Sequence, residues 1–167
     1  MPSLRKRAPR RSPAADPTDA AAAELAAIAL LARRDFACGE LGAKLRERGF
    51  DAAVVASVVA QLRARRMLDD ERFAGHFTAY HRARGQGPER IRRELALLGV
   101  EAALIDAALA AVADWAVLAR QVRARRFGAE PPADWRGKAR QARFLQYRGF
   151  SADHIRSALG PDLALDS

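Results

Sequence analysis

Most of the chemistry open to this chain lies in its arginines. Arg90 and Arg93 recur 50 residues later as Arg140 and Arg143, and i, i+3 spacing sets each pair on one helix face. Arg136 lies one turn before Arg140 and lengthens the second stripe. Arg33 and Arg34, then Arg82 and Arg84, stand at the ends of two further expected helices. A guanidinium is a planar fork of donors that meets a phosphate or a carboxylate with two parallel hydrogen bonds. A row of such forks would track the phosphates of a nucleic acid or the acidic residues of a protein groove. We take Arg33, Arg34, Arg82, Arg84, Arg90, Arg93, Arg136, Arg140 and Arg143 as the candidate binding face. For any single arginine a solvated helix face with i, i+4 ion pairs is the plainer reading. The repetition favours a function for the set.

The charge balance points the same way. The chain has 167 residues and a net charge of +9, from 29 basic and 20 acidic residues. Residues 1–19 hold five of the basic residues (Arg5, Lys6, Arg7, Arg10, Arg11) and two of the acidic ones (Asp16, Asp19). The body is therefore still +6, with 24 basic and 18 acidic residues. Such a chain gathers polyanions, nucleic acid first among them. Of the basic residues 26 are arginine, a bias that an arginine- and alanine-rich proteome would also give.

No catalytic, cofactor or metal site is expected. Cys38 is the single cysteine, so no internal disulfide is available, and no neighbouring base marks it as a nucleophile. It reads as a small half-buried residue at a helix start. Asp69, Asp70 and Glu71 suggest a metal or acid/base cluster, but carboxylates are favoured at a helix N-terminus by its exposed N–H groups and dipole. His76 and His81 are five apart, a poor spacing for one helix face, and His154 is alone; no zinc pattern results. Gly85-x-Gly87 lacks the third glycine, lysine and preceding strand of a phosphate loop.

The elements that must position the arginines are legible as a repeat. Leu45, Leu95 and Leu145 are 50 apart, and so are Gly49, Gly99 and Gly149, then Phe50, Val100 and Phe150. The register continues through Val55, Ile105 and Ile155, then Val58, Ala108 and Ala158. Each glycine ends a helix, because glycine takes the left-handed conformation without a Cβ clash, and the apolar residue after it folds back. Asp51, Glu101 and Ser151 follow as expected caps of the next helix. That helix carries Val54, Val55, Val58, Val59 and Leu62 in the first copy, and Leu104, Ile105, Ala108, Leu109 and Val112 in the second, one apolar stripe in each.

A further helix precedes each pair. It is expected over 20–33 with Leu25, Ile28 and Leu31 inward, over 70–84 with Phe73, Phe77 and Tyr80, and over 114–127 with Trp115, Leu118 and Val122. Thr18 or Asp19 would cap the first. The stretches 85–88 and 129–132 are breaks, with Pro88 suited to a first helical position. Phe73, Phe77, Tyr80, Trp115 and Phe144 read as core, whereas Trp135 and Tyr147 are the better candidates for exposure and base stacking.

The expected fold is all-α: a tandem array of three three-helix modules with a 50-residue repeat, elongated or curved, since a lone module of this size buries too little surface. The modules span 19–67, 68–113 and 114–160. Residues 1–18, with four prolines among arginines and small residues, are expected to be a disordered basic tail, and residues 161–167 a flexible C-terminus. No run of 18 apolar residues occurs, so no membrane-spanning helix is expected, nor a signal peptide. We expect a cytoplasmic monomer.

From Ala20 to Leu159 the chain resembles the RecX family of bacterial regulatory proteins. The resemblance is carried by Leu31-Ala-Arg-Arg34 with Glu40-Leu41, then Leu68-Asp-Asp-Glu-Arg-Phe-Ala74. After these come Gly87-Pro-Glu-Arg-Ile-Arg-Arg-Glu-Leu95 with Gly99, and Arg143-Phe-Leu-Gln-Tyr-Arg-Gly-Phe150 with Ile155. It implies a protein, not an enzyme, that binds the RecA recombinase and its filament on single-stranded DNA. Such a protein mainly inhibits strand exchange, ATP hydrolysis and coprotease activity, by lying in the filament groove or blocking filament growth. That places it in DNA repair, recombination and the SOS response. Weak binding of single- or double-stranded DNA is expected beside this, with no cofactor. Composition alone favours a different reading, a basic helical DNA-binding protein independent of RecA, whose affinity would fall steeply with salt.

Overall fold

The described residues, 16–160 in a computed structural model, form nine helices and no strand, because alanine, leucine, arginine and glutamate dominate and glycines punctuate. The expected tails therefore lie, apart from residues 16–18, outside the described residues. The helices follow one another in threes: α1 (Ala20–Leu31), α2 (Cys38–Glu47) and α3 (Ala52–Ala64); α4 (Asp70–Ala83), α5 (Pro88–Leu97) and α6 (Ala102–Ala110); α7 (Trp115–Phe127), α8 (Trp135–Arg148) and α9 (Ala152–Leu159). The chain divides after Leu68 into two compact units. The first holds α1–α3 and the second α4–α9.

The 50-residue repeat has one mechanical meaning in all three copies. The N–H groups of Phe50, Val100 and Phe150 donate to the carbonyls of Leu45, Leu95 and Leu145. Those of Gly49, Gly99 and Gly149 donate to Arg46, Ala96 and Gln146. This bond pair is the Schellman cap, which needs a left-handed residue at the glycine, and φ there is +97°, +80° and +90°. The cap folds Phe50, Val100 and Phe150 inward, where each is at most 6% exposed. Leu45, Leu95 and Leu145 are fully buried beside them. Each such side chain stabilises by about 1.5–3 kcal/mol relative to exposure.

In the first unit Ala23, Ala27, Leu30, Phe36, Leu41, Leu45, Phe50, Val55, Val58, Leu62 and Leu68 form one core. The inward face of α1 differs from the expectation: Leu25 is 69% exposed, whereas Ala23 and Ala27 are fully buried. This helix is apolar nearly all round, so hydropathy gives no period, and small alanines win the inward face by allowing close backbone approach. Asp19 caps α1 by accepting from the Ala22 N–H.

In the second unit Phe73, Ile91, Leu95, Ile105, Leu109, Trp115, Leu118, Val122, Leu145 and Ile155 are buried. The Trp115 indole N–H donates to the Leu109 carbonyl at 3.2 Å, which satisfies the buried ring. Tyr80, expected in the core, is 58% exposed in the last turn of α4, with its hydroxyl accepting from Arg84 at 2.7 Å. Phe77 is half-buried and stacks on His81. Caps were expected at all three repeat positions, but only Ser151 accepts from its helix; Asp51 and Glu101 sit at their helix starts with no side-chain bond to the helix. Their charge still suits the positive helix end.

Two glycines allow α5 and α8 to meet at backbone distance. Gly87 donates its N–H to the Arg148 carbonyl at 2.8 Å, and the Glu89 N–H donates to the Gly149 carbonyl at 3.0 Å. The N-terminus of α5 is thereby fixed against the C-terminus of α8, and the helices that carry Arg90, Arg93, Arg136, Arg140 and Arg143 are held in one frame.

Candidate binding face

On α8, Arg136, Arg140, Arg143 and Tyr147 follow at i, i+4, i+7 and i+11, which puts them on one stripe. Each of these four is exposed, Tyr147 by 76%. Where α8 ends, Arg90 of α5 takes over, with its guanidinium 5.9 Å from the centre of the Tyr147 ring. Arg93 follows on α5, and after it Leu97, which is 86% exposed. Arg90, Arg93, Glu94, Leu97, Gln146 and Tyr147 line one shallow groove of about 680 Å³. Trp135, 58% exposed, lies with Arg136, Arg140 and Arg143 along a second of about 620 Å³. Five of the nine candidate arginines, 90, 93, 136, 140 and 143, thus share a face that also carries two exposed aromatic rings.

Two carboxylates lie on this face, and both are engaged: Glu94 offsets the charge of Arg90, and Asp134 serves as a helix cap. Glu94 accepts from the Arg90 Nε–H at 2.8 Å; this hydrogen bond, ahead of the attraction of Glu94 and Tyr147, raises the Arg90 pKa above its usual value. Asp134 caps α8 by accepting from the Gly137 N–H. Arg93, Arg136 and Arg143 are exposed, and Arg140 lies 5.6 Å over the Phe127 ring. Guanidiniums beside two exposed rings suit a single strand, whose phosphates meet the charges and whose bases stack.

The other four candidates lie elsewhere. Arg33 and Arg34 belong to the first unit, along a hollow with Leu30, Phe36 and Lys44. Arg34 is engaged there: it forks onto Glu40 at 2.6 and 3.0 Å, donates to the Asp35 carbonyl, and covers the Phe36 ring at 3.6 Å. The Glu40 hydrogen bond raises its pKa above the ordinary arginine value. Arg34 thus braces the turn from α1 to α2. Arg82 is exposed in the last turn of α4, and Arg84 bonds Tyr80 at its end.

Two arginines that the repeat did not signal are prominent in the structure. Arg148 donates to the Arg84 carbonyl at 3.2 Å. Arg123 is only 6% exposed and holds the carbonyls of Ala129 at 2.7 Å and Glu130 at 3.0 Å. It pins the α7–α8 turn that presents Trp135. Spacing could not find Arg123, because its partners are backbone atoms of an irregular loop.

Asp69, Asp70 and the three histidines have interaction partners. Asp69 caps α4 by accepting from the Arg72 N–H. His81 lies 2.7 Å from the Gln86 amide oxygen, and His154 completes a capping box with Ser151. Cys38 is the half-buried first residue of α2. Among the described residues no group of three metal-ligating side chains gathers, and no single helix is long and apolar enough to cross a membrane.

Taken together, these features define an all-helical protein of three successive helix triplets with a basic face on its second unit. Profiles of the RecX three-helix domains match in chain order: the first over residues 23–62, the second over 69–109 and the third over 116–159. The chain belongs to the RecX family. The regulatory protein RecX of Halorhodospira halophila is 49% identical over 134 residues, spanning 80% of this chain and 83% of the relative. That of Acidithiobacillus ferrooxidans is 42% identical over 134 residues, spanning 80% and 86%. The crystal structure of RecX from Lactobacillus salivarius shares the fold at 19% identity, with a TM-score of 0.72 over 84% of this chain and 94% of the other. A crystal structure of regulatory protein RecX does so at 23% identity and a TM-score of 0.72, over 83% and 70%.

Proposed function

We propose that this protein binds the RecA recombinase and its filament on single-stranded DNA and restrains it, lowering strand exchange, ATP hydrolysis and coprotease activity without chemistry of its own. Family membership supports the regulatory role. The observation that carries the rest is the continuous face of Arg136, Arg140, Arg143, Tyr147, Arg90 and Arg93. A nucleoprotein filament presents phosphates and acidic side chains side by side, and guanidinium forks donate to both. The protein would work as a monomer in the cytoplasm, where the filament forms.

A second reading, direct DNA binding independent of RecA, is favoured by the net charge and by the exposed rings of Trp135 and Tyr147. Anisotropy of a labelled oligonucleotide separates the two. The first reading expects weak binding to naked DNA and at least tenfold tighter binding once RecA coats the strand. Equal affinity with and without RecA, falling steeply with salt, would establish the second.

A further inference from the structure

A different feature of the second unit lies off the stripe. Arg84 ends α4, Arg125 and Arg126 lie in the last turn of α7, and Arg148 ends α8; all four line one cleft of about 250 Å³ whose walls include Val122 and Phe144. None of its lining residues is acidic. Phe144 and Arg148 sit one position on from Arg143 and Tyr147, so they point about 100° away round the helix.

Arginines at helix C-termini ordinarily answer the negative end of the helix dipole. Arg148 does so, reaching the Arg84 carbonyl and covering the Phe144 ring at 5.3 Å. Arg84 is held by the Tyr80 hydroxyl. Two guanidiniums are thus preset at the cleft by hydrogen bonds to neutral oxygens. Arg125 and Arg126 are exposed beside them, which is more positive charge than the helix ends can balance.

We propose that this cleft binds the phosphate monoester of a nucleotide, supplied by the 5′ end of a strand or by a free nucleotide. A monoester carries close to two negative charges near neutral pH, on the order of −1.5 to −2, whereas a phosphodiester within a strand carries one. Four guanidiniums with no acidic wall match the doubly charged group. The Phe144 and Val122 walls give the attached sugar and base an apolar surface. The assignment does not depend on RecA.

The test measures binding to the full-length protein by titration calorimetry and anisotropy. Probes are dTMP, thymidine, hexaglutamate, and an oligothymidylate bearing either a 5′-phosphate or a 5′-hydroxyl. The two oligonucleotides share every phosphodiester contact with the stripe, so their difference reports the cleft. Expected are binding of dTMP but not thymidine, or at least fivefold tighter binding of the phosphorylated strand. Either advantage must vanish in the Arg125→Ser/Arg126→Ser variant, whose exposed positions leave the fold intact by circular dichroism. Preference for dTMP alone would assign the free nucleotide, and preference for the phosphorylated end alone the strand terminus. Equal affinity for both strands without dTMP binding, an advantage that survives in the variant, or binding of hexaglutamate alone would overturn the proposal.

Discussion

A Cβ atom added to Gly87 would stand 2.3 Å from the carbonyl oxygen of Gly149. No side-chain rotation relieves a collision between two backbones, and the same two segments are joined by the hydrogen bonds that set α5 against α8. The binding face exists in this arrangement only because both positions lack a side chain.

Gly87→Ala is therefore expected to destabilise the second unit by about 3 kcal/mol, at the upper end for overpacking. Its φ of −87° suits alanine, so the cost is steric. Gly75 in α4 is the control: a Cβ there meets nothing within 4 Å, and Gly75→Ala should stabilise by about 0.5–1 kcal/mol through helix propensity. Urea denaturation followed by circular dichroism measures both, and equal effects would refute the account of the seam.

The pH dependence of stability should show a small contribution from His154. Burial pushes its pKa below the ordinary 6.5, against the opposing pull of Asp153, Glu89 and Asp114. The Ser151 N–H donates to its Nδ1 at 3.3 Å, and the hydroxyl lies 2.9 Å from the same atom, so the ring serves the cap as a neutral acceptor. The unfolded chain takes up the proton more readily than the folded one. Stability is thus retained above about pH 6.5 and falls as the pH drops through the lower folded value. The ring is partly exposed, so the loss is below about 1 kcal/mol. Melting at pH 7.5 and pH 5.5 should differ less in His154→Gln, which keeps an acceptor; an unchanged difference would exclude this cap as its source.

Arg123 should act on the loop more than on the helices. Arg123→Met keeps the stem in the core and removes the bonds to Ala129 and Glu130. A loss of about 1–2 kcal/mol is expected, with faster amide hydrogen exchange at Ala129, Glu130, Ala133 and Asp134 and unchanged protection in α7 and α8. Unchanged exchange in the loop would show that the arginine does not order it.

Much of this fold can be read from residue identity and spacing. The leucine, glycine and aromatic or valine positions repeat because one capping geometry repeats, and that geometry is local. Hydropathy failed at Leu25, where an all-apolar helix offers no period. It failed at Tyr80, whose place in the last turn of α4 leaves the ring at the surface with its hydroxyl bonded to Arg84. The site was legible in part. Arg90, Arg93, Arg140 and Arg143 were marked by repetition, yet their union into one face depends on the contact of Gly87 with Gly149, which is long-range. Arg34 has the same residue type but is engaged with Glu40 and Phe36. The cleft of Arg84, Arg125, Arg126 and Arg148 gathers three helix ends distant in sequence, and no spacing rule reports that.

The most direct test of the proposed role is RecA ATP hydrolysis on single-stranded DNA, with this protein titrated well below one copy per RecA. The wild-type chain should inhibit strongly. Reversing Arg93, Arg136, Arg140 and Arg143 to glutamate should weaken inhibition at least tenfold while helicity is retained. Full inhibition by the reversed variant would place the contact on another face, and no inhibition by the wild-type chain at equimolar RecA would contradict the recombinase reading itself.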